Sequence, residues 1–130
     1  MRVATLLLLI VVALAFCWPS AADEPAQSAK QVSLMRQKLA HAEKILEGIS
    51  VADFQLVARH AGELNELTMP QKSGQPDTTA YKTHLQVFRF ATNELERNAA
   101  EKNLDAASLA YVQMTLSCVN CHKFLREQAR

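Results

Sequence analysis

From Asp105 to Leu125 the chain reads DAASLAYVQMTLSCVNCHKFL. Ala107, Tyr111, Met114, Cys118, Cys121 and Leu125 recur in it at spacings of 4, 3, 4, 3 and 4. That is the period of a buried helical seam and not the alternation of a strand. The seam runs into C-x-x-C followed directly by a histidine, Cys118, Cys121 and His122. Residues at i, i+3 and i+4 share one helix face, so two thiols and an imidazole point at the same object. This is the attachment pattern of c-type haem, in which the thiols form thioethers to the porphyrin edge and the imidazole ligates the iron. A zinc site would want four ligands and, lacking a second cysteine pair, would have to recruit the distant His41, His60 or His84. A thioredoxin-like redox pair belongs beside a βαβ pattern, and no stretch here reads as a strand.

At the other end, Met1-Arg2 precedes an apolar run from Val3 to Phe16, then Cys17-Trp18-Pro19 and the small residues Ser20-Ala21-Ala22. This is the order of a secretory signal peptide, so residues 1–22 are expected to be cut off after Ala22. The run is shorter than the roughly 20 residues of a membrane span. A lipid on Cys17 ranks below this reading, because Phe16 is bulky where such a site wants a small residue. Export fits the motif, since c-type haem is attached outside the cytoplasm in bacteria. The expected product is periplasmic and soluble once the signal is removed. Loss of Cys17 leaves only Cys118 and Cys121, both taken by the haem, and no disulfide.

The mature chain, 23–130, then forms one domain of ordinary size. Without Arg2 its 14 Lys and Arg fall to 13, against 13 Asp and Glu. A neutral chain is a poor candidate for binding nucleic acid. Asp23 to Ala29, with Pro25, reads as a short frayed leader. Helix 1 is expected from about Ser28 to Glu47, because Val32, Met35, Leu39, Ala42, Leu46 and Ile49 are spaced 3, 4, 3, 4, 3. Gly48 would close it at positive φ. Ser50-Val51-Ala52-Asp53 resembles a capping box, with helix 2 running to about Leu67 on Phe54, Val57, Ala61 and Leu64. Thr68 to Thr78, with Pro70, Gly74 and Pro76, is the long loop. Helix 3 starts near Thr79 and carries Tyr81, Leu85, Phe88, Leu95 and Ala99, interrupted by Thr92. Asp105 would cap helix 4 after a break at Asn103-Leu104-Asp105.

Short links make neighbouring helices antiparallel, so the expected fold is all-α, an up-down-up-down antiparallel four-helix bundle with covalent haem near the C-terminus. In that topology His122 lies about 10 Å from the end of helix 4 and Met35 about 10 Å from the start of helix 1, on the same end of the bundle. His122 is the proximal ligand. Met35 is the foremost candidate on the distal side, since a thioether ligates iron without losing a proton. Met69 and His84 lie at the same end but would need a tilted haem. His41 and His60 fall deeper and read as partly exposed surface residues, and Met114 as packing.

On these residues the mature chain resembles the class II cytochromes c, the cytochrome c′ type four-helix bundles, which carry C-x-x-C-H near the C-terminus. Cys118, Cys121 and His122, with Arg126 four residues after the histidine, match the family's C-terminal pattern. Leu34-Met35 followed by Gly48 looks like the low-spin branch, in which a Met on the first helix is the sixth ligand. The resemblance therefore implies Met35 as distal ligand, and it implies that two copies can pair through helices 1 and 2. The chain departs from the pattern at Leu125, where the family usually has an aromatic; here Phe124 stands one place earlier.

Two function classes follow. A six-coordinate iron held by His122 and Met35 makes a one-electron carrier, whereas an open distal position makes a five-coordinate protein that binds nitric oxide or carbon monoxide. An enzyme is not expected, because no acid, base or nucleophile cluster lies near the motif. At the haem end Lys30, Arg36, Lys38, Lys72, Lys82, Lys123, Arg126 and Arg130 stand against Asp23, Glu24, Glu66, Asp77 and Glu127, an excess that suits either an acidic redox partner docking at the haem edge or an ordinary solvated surface, since two propionates would offset most of it.

Overall fold

The computed structural model describes residues 23–69 and 78–130, with side chains from Ser28 onward. The expected signal peptide, Cys17 within it, and most of the long loop with Lys72 lie outside the described residues. The chain is all-helical, with four helices and no strand among the described residues: α1 (Asp23–Ser50), α2 (Phe54–Leu67), α3 (Thr79–Ala100) and α4 (Leu104–Gln128). No helix among them is long and apolar enough to cross a membrane. Each helix packs along its successor, and α4 meets α1 much more sparsely, an arrangement compatible with a four-helix bundle.

The core is assembled from one stripe per helix. Ile45 of α1, Val57, Ala61 and Leu64 of α2, Phe88, Ala91, Leu95 and Ala99 of α3, and Ala110 and Met114 of α4 form one cluster. Thr92, fully buried on α3, donates its hydroxyl to Asn65 Oδ1 on α2, and Asn65 Nδ2 donates to Asn93 Oδ1 at 2.6 Å. These bonds give the polar interruption of α3 a partner across the α2–α3 contact, as a buried hydroxyl requires.

α1 departs from its expected pattern in three ways. It begins at Asp23 and not near Ser28, so the expected leader is helical. Pro25 falls in the first turn, where its missing N–H has no intrahelical acceptor to lose. Its core residues are Leu34 and Ile45, whereas Val32, Leu39 and Leu46 of the expected seam are about half exposed or more. Gly48 does not close the helix. It is buried within the last turns, and a Cβ there would stand 2.8 Å from Val57 Cγ2 and 3.1 Å from the Asp53 carbonyl, so it marks a close approach between α1 and the start of α2.

The two short links share one device. At the end of α1, Asp53 N–H donates to Gly48 O and Ala52 N–H to Ile49 O, with Ala52 at φ 56°. At the end of α3, Asn103 N–H donates to Asn98 O and Lys102 N–H to Ala99 O, with Lys102 at φ 55°. Both are Schellman endings with a non-glycine residue in the left-handed position. In each, the following residue is the next N-cap: Asp53 accepts from Leu56 N–H and Asn103 from Ala106 N–H. Ser50 and Asp105, the expected caps, are the last residue of α1 and a first-turn acid of α4.

Candidate functional site

Where α1 and α4 make few contacts, a cavity of about 830 Å³ lies between them, floored by α2 and α3. That is the volume class of a cofactor pocket. Its walls are largely apolar: Val32, Leu34, Leu39 and Ala42 from α1, Leu64 from α2, Tyr81 and Phe88 from α3, Met114 and Leu125 from α4. Val32 and Leu39 are thus exposed toward this cavity. The helical period placed them on an apolar stripe, but a stripe facing a cavity has the same spacing as one facing a core.

Met35, Cys118 and His122 all line this cavity, bringing a thioether from α1 opposite a thiol and an imidazole from α4. Cys121 is half-buried one turn on from Cys118 and is not part of the cavity wall. Both thiols are free. Burial pushes the Cys118 thiol up from its ordinary range, and the nearby Lys38 ammonium partly offsets this. The same two effects act on Cys121. Burial also pushes Tyr81 up, assisted by the proximity of Cys121.

Lys38 belongs to the same wall. Its ammonium lies 5.6 Å from the centre of the Phe88 ring, within cation–π range. Burial lowers it below the ordinary lysine range, although charge on Cys118 and Cys121 would oppose that. No carboxylate pairs with it among the described residues. A cation held beside an apolar cavity without a counter-charge makes a place for an anionic group on whatever fills the cavity. Arg36 lines the cavity as well.

The residues present fit haem on their own chemistry. They offer two thiols at C-x-x-C spacing, an imidazole beside them, a thioether across an apolar cavity, and cationic side chains at its wall. The other axial candidates are placed elsewhere. His84 lines a separate, smaller cavity, where its ring tilts against Phe124 with centroids 5.0 Å apart. Met69 follows α2 and is exposed. Leu125 takes its place on the main cavity, while Phe124 turns to the His84 side.

His41 and His60, expected as partly exposed surface residues, are partly exposed, and they are adjacent, with Nδ1 atoms 2.9 Å apart. The i, i+3 spacing of His60 and Glu63 was visible in the sequence. The arrival of His41 from another helix was not. No family model, curated protein or solved structure matches the chain.

Proposed function

We propose that this chain is a c-type cytochrome: an up-down-up-down antiparallel four-helix bundle that carries one haem c through Cys118 and Cys121 and serves as a periplasmic one-electron carrier, not an enzyme. The observation that carries the reading is the convergence of Met35, Cys118 and His122 on one largely apolar cavity. The three-residue links after α1 and α3 support the topology, since links of that length join antiparallel neighbours.

When bound, the haem supplies the one-electron couple. The chain's own residues do the rest. Cys118 and Cys121 tether it, and His122 directs its imidazole into the cavity as the proximal ligand. Met35, on the facing wall, offers the distal thioether, which raises the potential relative to an all-nitrogen ligand set. Val32, Leu39, Leu64 and Phe88 would cover the group with apolar side chains and keep water from it. Lys38 and Arg36 stand where propionates can be paired. The exposed Lys123, Arg126 and Arg130 present positive charge beside the motif to an acidic redox partner protein. Two copies pairing through α1 and α2 would leave that surface available.

The test is the visible spectrum of the purified protein, ferric and ferrous, before and after carbon monoxide. The expected result is a low-spin spectrum with the weak far-red band of thioether ligation, unmoved by the gas. In Met35→Ala the spectrum should turn high-spin and the ferrous iron should take up carbon monoxide. A native protein that binds the gas at once would instead make this a five-coordinate nitric oxide or carbon monoxide binding protein. A preparation with no covalent haem would overturn the reading.

A further inference from the structure

α1 carries a second row of residues, Leu34, Lys38, His41, Ile45 and Gly48, at spacings of 4, 3, 4 and 3; Leu34 and Lys38 reach the haem cavity, whereas His41, Ile45 and Gly48 lie beyond it. The close approach at Gly48 and Val57 brings the two helices near enough for His41 to reach across to His60 and Glu63. His41 Nδ1 lies 2.9 Å from Glu63 Oε2, His60 Nδ1 lies 2.8 Å from the same oxygen, and the two nitrogens are 2.9 Å apart. Three ligand atoms from three side chains thus make a nearly equilateral triangle. None of the three residues lines the haem cavity.

Hydrogen bonds alone do not account for this triangle. An ionised carboxylate brings no proton, and each neutral imidazole brings one N–H. If both histidines donate to Glu63 through Nδ1, their two protons meet between the rings. If one donates to the other, one nitrogen faces the carboxylate lone pair to lone pair. A cation at the centre satisfies all three edges together.

We propose that His41, His60 and Glu63 form a second metal site, for a six-coordinate first-row divalent transition-metal ion. Two imidazoles and one carboxylate are the donor set such ions prefer. The size of the triangle decides the geometry. With bonds of about 2.0–2.1 Å, neighbouring positions of an octahedron lie about 2.9 Å apart, whereas those of a tetrahedron lie about 3.4 Å apart. The observed spacing is that of one octahedral face, leaving three positions for water. The side chains have the matching exposure, with His60 at 16 % and His41 at 24 % forming the inner side and Glu63 at 45 % the open one. The bound ion would pin α1 to α2 near the middle of both helices.

The experiment is isothermal titration of the purified full-length product with nickel(II), alongside its thermal unfolding with and without the metal. One ion should bind per chain at micromolar concentration and raise the melting temperature, leaving any haem absorbance unchanged. Glu63→Gln should weaken binding at least tenfold, and His60→Ala should abolish it together with the thermal shift. Glu63 is open enough to solvent that its variant tests the site even where His60→Ala does not fold. Absence of binding to the native chain, or equal binding in both variants through other imidazoles such as His84 or His122, would overturn the proposal. The outcome is independent of the haem reading, which is judged on the visible spectrum alone.

Discussion

Gly48 and Gly62 are both helical, yet the same added methyl group should act in opposite directions at the two. At Gly48 it would meet Val57 Cγ2 at 2.8 Å and, on the same side, the Asp53 carbonyl and Val57 nitrogen at 3.1 and 3.2 Å. The side chain can turn away, but the backbone of α2 cannot without separating the helices. Gly48→Ala should therefore cost about 1–3 kcal/mol, the range for overpacking, despite alanine's better helix propensity. At Gly62 the nearest atoms are those of the Glu96 carboxylate, at 3.8 Å and beyond, so Gly62→Ala should gain up to about 1 kcal/mol. Urea denaturation of the two variants checks both signs, and a stable Gly48→Ala would mean that α1 and α2 are farther apart than described. The notion that Gly48 stops the helix was legible but wrong. Glycine at a helix end and glycine at a helix contact look alike until the partner helix is in place.

At the scale of the helix, the ends were less legible than the seams. The residues in the left-handed position are Ala52 and Lys102, neither of which signals a stop as glycine or asparagine does. The backbone holds them there because Asp53 and Asn103 serve two helices, closing one through the main chain and opening the next through the side chain. Left-handed backbone costs a residue with a Cβ roughly 1–2 kcal/mol, and glycine returns part of that as unfolded-state entropy. Ala52→Gly and Lys102→Gly should each stabilise the protein by about 0.5–1 kcal/mol. Chemical denaturation reads this directly, and the double variant shows whether the two effects add. A loss of stability at either position would show that the side chain makes a contact outweighing the strain.

That the described residues form four helices and no strand was legible in periodicity, because each of the four stretches carries an apolar stripe at helical spacing. Of the motif Cys118, Cys121 and His122, the structure sets Cys118 and His122 beside Met35 on one cavity and leaves Cys121 outside its wall. What periodicity could not resolve is that the apolar residues of α1 divide between the core, which takes Ile45, and the cavity, which Val32, Leu34, Met35 and Leu39 line. A bundle with such a cavity is incompletely packed unless something fills it. If haem is that filler, the Cys118→Ser, Cys121→Ser double variant should keep its far-ultraviolet helical dichroism, lose near-ultraviolet dichroism, and bind a hydrophobic dye. A sharp, native-like near-ultraviolet spectrum in that variant would show that the helices close the cavity on their own.

The sparse contact between α1 and α4 leaves the fold hinged like a book. The spine is the α2–α3 contact, fastened by Thr92, Asn65 and Asn93, and the covers are two hairpins, each held by its own tight turn. The free edge lies where the contacts are sparsest, beside the cavity. A flat ligand held there would be tethered to one cover alone, since Cys118 and Cys121, both half-buried, lie on α4.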